Sequence, residues 1–95
     1  LPLSKYTVIG DSMLPTYKEN DVVIMSKLGY IFSSPKIGDI VVAHVKNNKT
    51  ILKRIAKIDG KRYYVVGDNF RKSTDSRIFG WIQKKDILGK AIHNR

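Results

Sequence analysis

Apolar, β-branched runs recur along the chain at short intervals: Tyr6 to Ile9, Val22 to Met25, Ile40 to Val45, Ile51 to Ile58 and Tyr63 to Val66. Runs of this length, rich in Val, Ile and Tyr and separated by turn residues, predict strands. Asn47-Asn48 and Asp59-Gly60 stand between them as turn signals, the second fitting a type I′ hairpin, in which both central residues take positive φ. The run Ile40-Val41-Val42-Ala43-His44-Val45 is nearly continuous in apolar residues instead of alternating. It predicts a central strand covered on both faces, with His44 a packed strand residue. The only segment that could hold a short helix, too brief to matter, is Gln83 to Leu88. The chain is thus expected to be a single mainly β domain over 1–95, a meander forming an open barrel or a pair of packed, coiled sheets. Gly29-Tyr30-Ile31-Phe32 has no strand partner in this scheme and is bounded by Ser33-Ser34-Pro35. It reads as a loop tucked under the core, with an exposed apolar lip for substrate or lipid as the alternative.

Composition narrows the functional classes. No apolar run approaches the ~18–20 residues that cross a bilayer, and the first residues are Leu1 and Pro2, so a fragment or processed product is expected, with room for a lost anchor or signal segment. The absence of cysteine excludes disulfides and thiolate chemistry and leaves the compartment open. Eighteen Lys and Arg against eight Asp and Glu give a net charge of +10, which favours an anionic partner: nucleic acid, an anionic lipid surface or an acidic protein.

Three segments carry candidate chemistry. In Gly10-Asp11-Ser12-Met13-Leu14-Pro15-Thr16 a strand ends on glycine and a serine opens a turn pinned by Pro15, which would leave Ser12 Oγ clear of the sheet, as a nucleophile requires. In Ile51-Leu52-Lys53-Arg54-Ile55 the two-residue period puts Lys53 on one face with Ile51 and Ile55, and Arg54 on the other between Leu52 and Ala56. Periodicity does not say which cation is buried, but only the lysine can lose its proton and act as a base. The third segment, Gly67-Asp68-Asn69 to Gly80, is a polar loop in which Asp75 and Arg77 are close enough to pair.

In order and type these segments resemble the boxes of the signal peptidase I family. Gly-Asp-Ser-Met-x-Pro-Thr at 10–16 resembles the nucleophile box, and Gly38-Asp39-Ile40-Val41-Val42 the central strand. Leu52-Lys53-Arg54-Ile55 resembles the lysine box, and Gly67-Asp68-Asn69 with Ser73, Asp75, Ser76, Arg77 and Gly80 the last box. The resemblance implies coiled β-sheets of the type found in the cleavage domains of SOS repressors, with no metal and no cofactor. It implies Ser12 as nucleophile, Lys53 as general base, Ser73 as a hydroxyl that orients the lysine, and Asp75 with Arg77 as a supporting ion pair. A substrate strand is expected beside Thr7 to Gly10 and Thr50 to Leu52, with Ile9, Gly10, Met13, Ile51 and Leu52 binding it and small side chains admitted before the cleaved bond. The implied partners are a precursor protein with an N-terminal signal or leader peptide and an anionic membrane surface, with the catalytic domain outside the cytoplasm and no nucleic acid.

There are departures from the family pattern. Longer relatives carry an anchor before the serine box, and many insert a second β-domain where only Ile58 to Val66 stands here. Gly10 occupies a position where some relatives have an oxyanion-stabilising serine, which shifts that load to the Ser12 N–H. Lys53 sets the chain apart from the endoplasmic-reticulum branch, which has histidine there. Two other classes compete. A self-cleaving regulatory domain of the SOS-repressor kind shares the Ser/Lys dyad but lacks the last box, and no cleavage segment is visible here. A basic nucleic-acid-binding β-barrel is suggested by the charge and by Tyr63, Tyr64, Phe70 and Trp81, although these aromatics are not interleaved with the basic residues in a binding motif.

Overall fold

The computed structural model describes residues 3–92. Seven strands form one antiparallel sheet: β1 (Leu3–Thr7), β2 (Val22–Ser26), β3 (Ile40–Val45), β4 (Lys49–Asp59), β5 (Arg62–Val66), β6 (Ile82–Gln83) and β7 (Ile87–Ile92), in the order β1-β2-β7-β3-β4-β5-β6. β3 to β5 follow the expected meander, and β6, not expected, adds to its end. β7 breaks it by inserting between β2 and β3.

The continuous apolar run on β3 has the expected consequence. Ile40 and Val42 pack with Val8, Met13, Val23, Met25 and Leu52 on one face of the sheet. Val41 and Ala43 pack with Tyr30, Ile55, Tyr63, Val65 and Ile82 on the other. Burying each such side chain is worth roughly 1.5–3 kcal/mol, so the two half-cores hold the centre of the sheet rigid. His44 lies on β3 opposite Thr50, but it is exposed and not packed as expected, because β3 leaves the core at that end.

The turns follow from residues that tolerate positive φ. Asn47 and Asn48 both adopt it, in the 3-10 turn Lys46–Asn48 between β3 and β4. In the β4–β5 hairpin Asp59 pairs with Arg62, so Gly60 and Lys61 are central, and of the two only Gly60 has positive φ. That pattern belongs to a II′ turn, not the expected I′. The segment Gln83 to Leu88 holds a 3-10 turn, Lys84–Asp86, closed by reciprocal Gln83 and Asp86 caps and followed directly by β7. Among the described residues the one α-helical turn is α1 (Ser76–Phe79), outside that segment and capped by Asp75.

Gly29 to Phe32 divides between its two readings. Tyr30 is buried and donates from its hydroxyl to Asp39 Oδ2 at 2.6 Å, whereas Ile31 and, at 89% exposure, Phe32 face solvent. Burial and the adjacent carboxylate raise the Tyr30 phenol far above its ordinary range.

Two features of the sheet position the site. β4 pairs with β3 along residues 49–54, but its pairing with β5 begins only at Arg54, so residues 49–53 keep one open edge. The sheet also curls until β1 meets β4, where the Tyr6 hydroxyl donates to the Thr50 carbonyl at 3.2 Å.

Candidate active site

Ser12 follows β1 in a turn that reverses toward the core. Leu14 N–H donates to the Asp11 carbonyl, Tyr17 N–H donates to the Met13 carbonyl, and Met13 is sunk into the core at 1% exposure. Anchored in this way, the turn leaves Ser12 half-buried at the end of the curled sheet. Lys53 reaches it from the middle of β4, with Nζ 2.7 Å from Ser12 Oγ. The ammonium donates in this contact, and once Lys53 is neutral the serine hydroxyl donates to the amine.

Lys53 is only 5% exposed. Burial lowers its pKa by disfavouring the charged form, against a smaller opposing pull from the Asp75 carboxylate. The cation left ambiguous by periodicity is therefore resolved: Lys53 points into the site, and Arg54, on the opposite face, is neutralised elsewhere. Arg54 donates through Nε and Nη2 to both oxygens of Asp68, each at 2.8 Å, and through Nη1 to the Gly38 carbonyl at 2.8 Å. Hydrogen bonding from Arg54 holds the Asp68 carboxyl below its ordinary value against the effect of burial, with help from Thr16.

The loop after β5 binds the serine turn from behind. Asn69 N–H donates to the Ser12 carbonyl at 2.8 Å, and Asn69 Nδ2 donates to the Asp11 carbonyl at 3.0 Å. Gly67 passes so close that a Cβ there would stand 2.6 Å from the Ser12 carbonyl oxygen and would also collide with the Ser73 side chain. Thr16, Gly67, Asp68 and Asn69 thus brace the Ser12 turn. Their sequence signal was membership of the motifs alone, because their partners lie far along the chain.

Asp75 is fully buried. It accepts from Gly67 N–H at 2.8 Å, Ser73 Oγ at 2.7 Å, and Arg77 through Nε at 2.9 Å and Nη2 at 2.8 Å. Burial alone would raise its pKa, but these donors outweigh it and hold the carboxyl well below the usual range. Arg77 also lies over the Phe70 ring, 4.1 Å from its centroid. Asp75 and Arg77 are therefore the expected ion pair. Among the described residues the hydrogen bond from Lys53 Nζ goes to Ser12, and the Ser73 hydroxyl is directed at Asp75 instead.

Around Ser12 and Lys53 lies an open cleft of about 560 Å³ whose lining includes Ile9, Gly10, Ile51, Lys46, Lys49 and Lys72. Three of the expected substrate residues, Ile9, Gly10 and Ile51, are thus brought together, and Ile9 is 77% exposed. Met13 and Leu52 are not part of that lining: both are buried in the half-core with Ile40 and Val42. Among the described residues no three His, Cys, Asp or Glu side chains gather as metal ligands, and no helix is long and apolar enough to cross a membrane.

The comparisons with known proteins agree with this geometry. A family model described as signal peptidase, peptidase S26, matches residues 1–62 and 56–94. Signal peptidase I of Leptolyngbya laminosa is 25% identical over 129 aligned positions, covering 87% of this chain and 64% of the relative. The probable signal peptidase I-1 of Synechocystis is 23% identical, covering 87% and 66%. Signal peptidase IB of Staphylococcus aureus is 24% identical over 143 positions, covering 93% and 75%. The chain thus spans just under two thirds of the length of the first two relatives. The alignments are longer than the 95-residue chain itself, and the family match divides at 56–62, where the β4–β5 hairpin stands. That is the point at which a second β-domain was expected in longer relatives. With its boxes in order and matched from residue 1 to 94, the chain belongs to the signal peptidase family, peptidase S26.

Proposed function

We propose that the chain is a serine endopeptidase that removes an N-terminal signal or leader segment, with Ser12 as nucleophile and Lys53 as general base. The observation that carries this reading is the 2.7 Å contact between a half-buried serine hydroxyl and the amine of a desolvated lysine. Neutral Lys53 takes the proton as Ser12 Oγ attacks the scissile carbonyl carbon. The carbon–nitrogen bond then breaks, and the lysine returns the proton to the leaving amine. Water, deprotonated by the same lysine, hydrolyses the acyl-serine. The Ser12 N–H serves as an oxyanion donor, and its position is stiffened by the Asn69 bond to the Ser12 carbonyl.

The substrate lies extended between Thr7 to Gly10 and the open edge of β4, and backbone pairing supplies most of its affinity. Ile9 and Ile51 bound the pockets for small side chains, with Met13 and Leu52 supporting them from the core. Ser73 and Arg77 act on Lys53 through Asp75, whose charge tempers the lowering of the lysine pKa. The domain works at an anionic membrane surface on the extracytoplasmic side, approached by its basic faces and the exposed Ile31 and Phe32.

The test is incubation of the purified chain with a panel of leader-containing precursors, with product masses locating the cut. Cleavage at one bond after small residues, abolished in Ser12→Ala and unaffected by EDTA, is expected. Undiminished cleavage by Ser12→Ala, or loss of activity restored by a divalent ion, would overturn the assignment.

A further inference from the structure

We propose that the cleft selects substrates with acidic side chains a few residues from the scissile bond, and that Lys46, Lys49 and Lys72 read them. This rests on the peptidase reading above and adds a specificity to it. All three lysines line the cleft and are exposed, and none takes part in the ion pairs among the described residues, which use Arg54, Arg62, Arg77 and Lys90. Asp11 is the one carboxylate among the described residues lining the same space. Lys49 shares its face of β4 with Ile51 and Lys53. It lies four residues from Lys53, about 13 Å along a strand. A peptide paired with the open edge of residues 49–53 therefore passes Lys49 about three to five residues from the bond held at Ser12. Lys46 sits in the turn leading into β4, and Lys72 in the loop between β5 and α1, so three separate elements deliver a cation to one cleft.

The overall charge of +10 attracts any anion at long range, but that attraction is screened beyond about 8 Å at physiological salt. Cations in a cleft with apolar walls act locally, so the position of the acidic residue decides, not the peptide's net charge.

The experiment uses three labelled peptides sharing one small-residue cleavage motif. One carries two aspartates three to five residues from the cut, on one side or the other. A second has the same net charge with the aspartates at its far end, and the third has none. Binding to Ser12→Ala is read by fluorescence anisotropy in lipid-free buffer, and kcat/KM is read on the wild type. The near-acid peptide should bind about 3- to 10-fold more tightly than the far-acid peptide at low salt, the range expected of two or three exposed pairs. That advantage should shrink with salt, disappear in the combined Lys46→Gln, Lys49→Gln, Lys72→Gln protein and survive in the corresponding arginine protein. Equal binding of the near and far peptides would overturn the proposal, as would an advantage that persists in the glutamine protein. An advantage appearing only when anionic vesicles are added would also overturn it, assigning these lysines to lipid. Because binding is read without turnover, a wild type that cleaves none of the peptides would sink the peptidase reading while the acid preference is still measured.

Discussion

Lys53 shows how a single residue can carry both a cost and a proposed function. Its ordinary pKa is 10.5, and burial lowers that value in the folded chain. Between the lowered value and 10.5 the unfolded chain binds a proton that the folded chain has released, so this residue's contribution makes stability rise with pH across that window. Below the window, folding must bury a charge or expel a proton. Lys53→Met should therefore raise Tm, by roughly 4–8 °C for each kcal/mol recovered, with the largest gain at acid pH and a dwindling one toward pH 10. Thermal melts from pH 5 to 10 provide the check, and a gain independent of pH would contradict it. Lys53→Arg should fold yet hydrolyse nothing, since guanidinium cannot accept the serine proton. That Lys53 and Arg54 take opposite faces was legible from the two-residue period, whereas which of them is buried was not. The role of Arg54 was not legible either, because its partner Asp68 lies 14 residues away and meets it only through the β4–β5 pairing that sets Arg54 opposite Val66.

Among the elements, β3 and β4 were the easiest to foresee, since an apolar run without alternation leaves few alternatives to a central strand. β7 was hidden. Ile87 to Ile92 is interrupted by Gly89 and comes directly after residues of turn character, and its strand state is set by its neighbours β2 and β3, which lie far away in sequence. The loop after β5 was legible as a motif but not as a brace: nothing local shows that Asn69 holds the Ser12 carbonyl or that Gly67 must lack a side chain. Gly67→Ala should destabilise the fold by about 1–3 kcal/mol, as overpacking does. It should cost kcat more than stability implies, up to about 100-fold for a shift of the serine turn near 1 Å. Urea denaturation and single-turnover kinetics separate the two effects, and a variant with normal kcat would show that the turn is not held by this contact.

At the scale of the whole molecule, the order of the boxes was readable because each pairs a fixed geometry with a required residue type, whereas the composition said only that an anionic partner is favoured. The surface is more organised than the sequence suggested. Tyr64 and Trp81 meet edge to face at 5.2 Å, with Lys57 over the first ring and Arg62 over the second, although these residues are not interleaved along the chain. Together with the net charge of +10 and the exposed Phe32, the basic faces should draw the domain onto anionic vesicles at low salt and release it as salt rises. Cosedimentation with phosphatidylserine and phosphatidylcholine vesicles tests this, and equal binding to both would contradict it. The proposed function, however, depends on one proton. The most direct measurement is an NMR titration of the lysine ε-carbons with Lys53 assigned by substitution, set beside the pH dependence of kcat/KM. Lys53 should titrate well below the ordinary lysine value of about 10.4, and the acid limb of the rate profile should share its midpoint. Lys53 titrating at the ordinary lysine value while peptide is cleaved at full rate near neutral pH would show that it is not the base for Ser12.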